Sequence, residues 1–232
     1  MIRLLQENEE LELDQFDSAH PKYILDWNDV DDFIYKEPRY RVIYKDGTEG
    51  GRIASYDNLS QEGSCKVLRG AEVLGNAKIS GNAQVKSGTI LGNAQIFGNA
   101  EVSGATISGD VQIYGDAVVH DYNGLIYGNA KIYDNAYISN ADIYGNAQVY
   151  GNAKIIGQGY LKSELAKVSG NAQVYDNAVI RGKSHIYGKA KVYDDIMLVD
   201  SKVGGNAIAH GSGGYSYAKL SGHDDFYNGK IQ

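Results

Sequence analysis

The chain has 232 residues, with 29 glycines, two prolines, a single cysteine and a formal net charge of −7. That length holds one or two domains. Abundant glycine with little proline suits a turn-rich β structure, and one cysteine excludes both an internal disulfide and a thiolate metal cluster. No apolar run reaches bilayer length, and residues 1–20 lack a basic start followed by an apolar stretch, so the expected location is cytoplasmic and away from membranes.

The N-terminal end carries the charge. Residues 1–66 hold 15 acidic and 8 basic side chains, and the remainder holds 14 of each. Glu7, Glu9, Glu10, Glu12, Asp14 and Asp17 form the densest run. Such a segment is either a solvated face or a docking surface for a basic partner. The absence of a basic patch argues against nucleic-acid binding.

Trp27, Val30 and Ile34 recur at helical spacing and Pro38 follows, which predicts a short helix. Tyr40-Arg41-Val42-Ile43-Tyr44 alternates as a strand, Asp46-Gly47 signals a turn, and a second strand is expected to run to about Ala54. Residues 1–62 are thus expected to form an α+β cap over the end of whatever follows.

From residue 63 to the C-terminus one six-residue unit repeats, Gly-Asn-Ala-x-(Ile/Val)-x, grouped in threes. The aliphatic positions run Val73, Ile79, Val85, then Ile90, Ile96, Val102, then Ile107, Ile113, Val119, so the larger period is 17. Hexads in threes predict a three-sided parallel β-helix of about nine coils, an all-β solenoid. Alternation places Ala77 and Ile79 on one face, inside, and Lys78 and Ser80 on the other. Asn76 and Asn82 fall at corners with the glycines before them. Cys65 occupies an Ala position, which predicts a buried structural thiol.

The period is interrupted at His120-Asp121-Tyr122-Asn123-Gly124 and at residues 157–167. Both interruptions follow the third wall, so both loops should protrude from one corner. The residue after each aliphatic position points outward, and on the second wall these are Ser80, Phe97, Tyr114, Tyr133, Tyr150, Tyr175, Tyr193, His210 and Tyr227. This is an aromatic ladder, and it either ties coil to coil or meets a partner.

The run Gly47-Thr48-Glu49-Gly50-Gly51-Arg52-Ile53, followed by residues 58–65, resembles the lead-in segment of the YdcK-like hexapeptide-repeat proteins of bacteria and phages. Together with the Gly-Asn-Ala repeats the resemblance covers roughly residues 45–232. It implies left-handed winding, a bacterial, phage or mobile-element origin, and an acyltransferase label that rests on fold alone. Hexapeptide acyltransferases place a His near a coil edge as general base. His120 beside Asp121 fits that role best, with the carboxylate orienting the ring and acetyl-CoA or another acyl-CoA as cofactor.

Three functions follow. The first is a non-catalytic binding or scaffold protein that engages a host protein through its acidic head or aromatic wall. Its binding residues would be Phe97, Tyr114, Tyr133, Tyr150, Tyr175 and Tyr193, with Tyr160 and Lys162 from the longer loop. The second is acyl transfer with His120 as base. The third is small-ligand capture on the aromatic wall. Relatives of this fold often associate through flat walls, so a homo-oligomer, trimer or dimer, is expected. No metal site is expected.

Overall fold

The computed structural model describes residues 20, 22–31, 39–158 and 164–232. From Lys66 to Tyr227 the chain winds through three sheets in strict rotation, each coil parallel to the next. Every strand is short, commonly two or three residues such as Lys78–Ile79 and Gln95–Ile96, because each wall takes only the residues flanking one aliphatic position. Aliphatic partners sit in register from coil to coil: Ile96 on Ile113, Ile113 on Ile132, Ile132 on Val149. The third wall has nine strands, from Lys66–Val67 to Ser212–Ser216, which fixes the number of coils at nine.

The interior is the Ala and Ile/Val column. Ala77, Ala83 and Val85 are wholly buried and Ile79 nearly so, while Asn76 and Asn82 stand exposed at corners. Each buried Ile or Val contributes about 1.5–3 kcal/mol. Cys65 is buried in the Ala column, as its place in the hexad predicts. At the corners the backbone turns through positive φ. At Gly98, with φ 70°, a Cβ would lie 2.9 Å from the Gly115 nitrogen of the next coil. Corner asparagines bond along the rod, Asn76 to Asn93 at 3.1 Å and Asn93 to Asp110 at 2.8 Å.

The cap is built from β1 (Tyr23–Asp31), β2 (Arg39–Tyr44) and β3 (Glu49–Ile53). The three are continuous with the first wall: β1 and β2 pair antiparallel, as do β2 and β3, and β3 lies parallel to Ala71–Val73. The expected hairpin is therefore present. The expected helix from Trp27 is not, since residues 27–31 belong to β1, and residues 32–38 lie outside the described residues. A register shift between Asp26 and Val30 breaks the two-residue alternation there. This removes the local strand signal and leaves a spacing that imitates a helix. A 3-10 segment, Tyr56–Asn58, is closed by a capping box from Ser55.

Cap side chains satisfy the end of the rod. The Tyr44 hydroxyl accepts from the Val67 nitrogen at 2.7 Å and donates to the Val67 carbonyl at 3.1 Å. The Asn58 amide donates to the Gly75 and Ala77 carbonyls, both at 2.9 Å. The Tyr23 hydroxyl reaches the Leu59 carbonyl. Burial raises the Tyr23 and Tyr44 phenols well above the usual range. At the far end Lys230–Ile231 folds back antiparallel on Asp225–Tyr227. The turn, Asn228-Gly229, has φ 47° and 85°, as a two-residue primed turn requires.

Both interruptions leave the same corner, between the third wall and the first, two coils apart. The base of the longer one is closed by the Gln158 nitrogen on the Glu164 carbonyl at 3.1 Å. At this corner polar residues take interior places. Ser184 and Ser201 are fully buried, with the Ser184 hydroxyl donating to the Arg181 carbonyl at 2.7 Å and accepting from the Ser201 nitrogen at 3.0 Å.

Candidate aromatic binding wall

Sheet register places each ladder residue from Phe97 to Tyr193 just after its strand on the second wall, where its nitrogen bonds the coil ahead, as Tyr114 does to the Ile132 carbonyl at 3.0 Å, and His210 and Tyr227 end their strands. With backbones locked at strand spacing, adjacent rings have one way to pack. Phe97, Tyr114, Tyr133, Tyr150 and Tyr175 stack in unbroken succession at 4.9 Å between centroids, with planes within 5° of parallel. Tyr193 follows at 5.0 Å and 11°, and His210 at 5.0 Å and 22°. Tyr227 closes the series against His210 at 4.9 Å, tilted by 39°. The rings from Phe97 to Tyr193 are half-buried and Tyr227 is exposed.

Near-parallel planes at this spacing are offset stacks, each worth about 0.5–1.5 kcal/mol beyond area. Their faces cover one another, so the wall presents ring edges and hydroxyls. Insertion of a base or a sugar between neighbouring rungs is thereby blocked.

A column of carboxylates runs beside the ladder. Asp134, Asp176 and Asp194 directly follow ladder tyrosines, at corner positions with φ 57°, 54° and 63°. Asp can hold this left-handed geometry where most residues cannot. Burial, then neighbouring phenols and Asp134, push Tyr133 up to about 12; burial, Tyr150, Tyr193 and Asp176 do the same to Tyr175. Tyr114, Tyr150 and Tyr193 are also raised, with burial the leading cause. At the C-terminal end a groove of about 570 Å³ is lined by Asp176, Asp194, Asp195 and Tyr227 among others. His210 sits within the ladder, its Nε2 3.0 Å from Asp225 and its Nδ1 3.6 Å from Asp194.

The His120–Asp121 pair is arranged differently from the expectation. Asp121 is fully buried, and its carboxylate accepts from the backbone nitrogens of Asn123 at 3.1 Å, Gly124 at 2.6 Å and Ala141 at 2.7 Å. Burial raises its pKa and these three donors pull it back. Asp121 therefore shapes the corner and does not orient His120. The exposed His120 ring contacts Tyr122 instead, Nε2 to Oη at 3.0 Å. The ladder and this corner lie on different walls, so the structure does not bring the two sets of candidate residues together. Tyr160 and Lys162 lie outside the described residues. A second cluster of rings occupies the first wall, with Tyr127 stacked on Tyr144 at 5.0 Å. There His185 bonds Ser169 at 3.1 Å, and burial followed by Lys167 and Lys202 lowers its pKa.

Among the described residues no group of three or more His, Cys, Asp or Glu could hold a metal ion. No described helix is long and apolar enough to cross a membrane.

Residues 94–110 match the YdcK beta solenoid repeat family. The matched stretch is one turn of the rod, passing through Gln95–Ile96, Glu101–Ser103 and Thr106–Ile107. The solenoid repeat thus has a family counterpart over one coil; the wider likeness over residues 45–232 goes beyond that match. Comparison with curated proteins gave no match. The aromatic clusters on the solenoid surface are consistent with a ligand- or partner-binding surface.

Proposed function

We propose that the protein is a non-catalytic binding protein that engages a protein partner through the second wall. The observation that carries this reading is the ladder itself. It runs from Phe97 to Tyr227, presents hydroxyl edges, and is bordered by Asp134, Asp176 and Asp194. Phenol hydroxyls next to fixed carboxylates suit a partner surface rich in Lys or Arg, whose N–H donors meet both hydroxyl oxygens and opposite charges. A second copy of the chain in a dimer or trimer is the alternative occupant. Left-handed winding, as the resemblance implies, and a cytoplasmic setting belong to this proposal. Acyl transfer through His120 has less support, because the carboxylate that would orient its ring is committed to the backbone.

Replacing Tyr133 and Tyr150 together with Ser tests the reading. Partner affinity or self-association should fall at least tenfold while circular dichroism stays that of the native β fold. A lower melting temperature with unchanged oligomer mass and partner affinity would show that the ladder only ties coils together.

A further inference from the structure

The ladder ends at Phe97, and the next position toward the cap is Ser80. One face of Phe97 is covered by Tyr114 at 4.9 Å. On its other side the Ser80 side chain is too small to act as a rung. A groove of about 590 Å³ opens at this point. Phe97, Ile79 and Leu59 line it, and Tyr56 from the 3-10 turn stands on the cap side. Its polar lining comes from Lys78, Gln95, Ser60, Ser80, Gln61 and Asp57.

We propose that this groove binds a planar heteroaromatic small molecule, which stacks on Phe97 as the next rung of the ladder. The periodicity of the wall sets the requirement. Each ring from Phe97 to Tyr193 finds its neighbour at 4.9–5.0 Å, so the coil that presents Ser80 has the backbone of a rung without the ring. A ring placed there gains the same offset stack on Phe97. Its far side meets the cap rather than open solvent, which distinguishes this end of the ladder from the Tyr227 end.

The lining chooses the chemistry. Lys78 and Gln95 stand in register on adjacent coils of the same wall, outward of the strand, and supply donors and an amide acceptor. Asp57 and the two serine hydroxyls supply acceptors. A ring whose edge carries both donors and acceptors, as a nucleobase does, satisfies them; a plain hydrocarbon ring leaves them unmatched. The site is formed by the cap and the first coils and uses none of Tyr133, Tyr150 or Tyr175.

Adenine as free base is the probe, with cyclohexanol as a control that lacks a ring current. The wild-type protein should give saturable binding in a titration followed by proton NMR, with adenine protons shifted upfield by the Phe97 ring. Ser80→Tyr installs the residue found at the other rungs, so it extends the ladder without disturbing the coil and should weaken binding at least tenfold. Phe97→Leu should abolish the upfield shift. No saturation in the wild type, cyclohexanol binding as tight as adenine, or equal affinity in Ser80→Tyr would overturn the proposal. The Tyr133/Tyr150 double variant should bind adenine as the wild type does, so the two proposals stand or fall separately.

Discussion

Asp121 shows how one side chain can be read two ways. Beside a histidine at a loop it suggests a dyad, yet in the fold its two oxygens hold three backbone nitrogens. Removing an acceptor from buried donors costs about 1–3 kcal/mol each. Asp121→Ala should therefore lower unfolding free energy by about 3 kcal/mol or more in urea, and His120→Ala by under about 0.5 kcal/mol, as for an exposed side chain. A loss of function from the histidine change with full stability would restore the catalytic reading. The ladder phenols make a second prediction at this scale. Unfolded tyrosines ionise near pH 10, whereas Tyr133 and Tyr175 are pushed up to about 12 in the fold. A raised folded value means that the folded state holds its protons longer. The corresponding stability is complete below pH 10 and is lost as pH rises through 12. Ultraviolet absorbance titration should show late-titrating phenols in the native protein, and thermal melts should weaken across that window.

For a single coil the corner decides whether the hexad closes. Gly98 turns at φ 70° with the next coil's backbone less than 3 Å from where a Cβ would be. Gly98→Ala should cost about 1–2 kcal/mol from the left-handed backbone alone, and more from the contact with Gly115, as measured by urea denaturation. The Gly-Asn-Ala rhythm made these corners legible, along with the buried column and the shared corner of the two loops. The strand β1 was not legible, because its partner, β2, is supplied from a distance in sequence. Tyr23 finds Tyr44, and Leu25 finds Val42, across the intervening chain. The terminal hairpin, by contrast, carries its own local turn signal in Asn228-Gly229.

At the scale of the whole molecule the main hazard of a solenoid is its open ends, where unpaired strand edges invite another chain. At the cap end one hydroxyl, that of Tyr44, occupies both Val67 groups at the edge of the third wall. Tyr44→Phe keeps the ring and exposes that edge. Stability should fall by about 1–3 kcal/mol, and light scattering should report more self-association than in the wild type. Unchanged mass and melting temperature would mean that the edge is protected by other means. A 17-residue period leaves each coil dependent only on its neighbours, so local spacing alone specifies the rod, its three walls, the corners and the line of aromatic residues. What those residues do is set by packing in the fold. Stacking turned ring faces inward against one another and left edges outward, burial took Asp121 away from His120, and the cap placed a polar groove beside Phe97. These outcomes depend on hydrogen bonds and packing within loops, between coils and between cap and rod, which a periodic code of residue types does not specify.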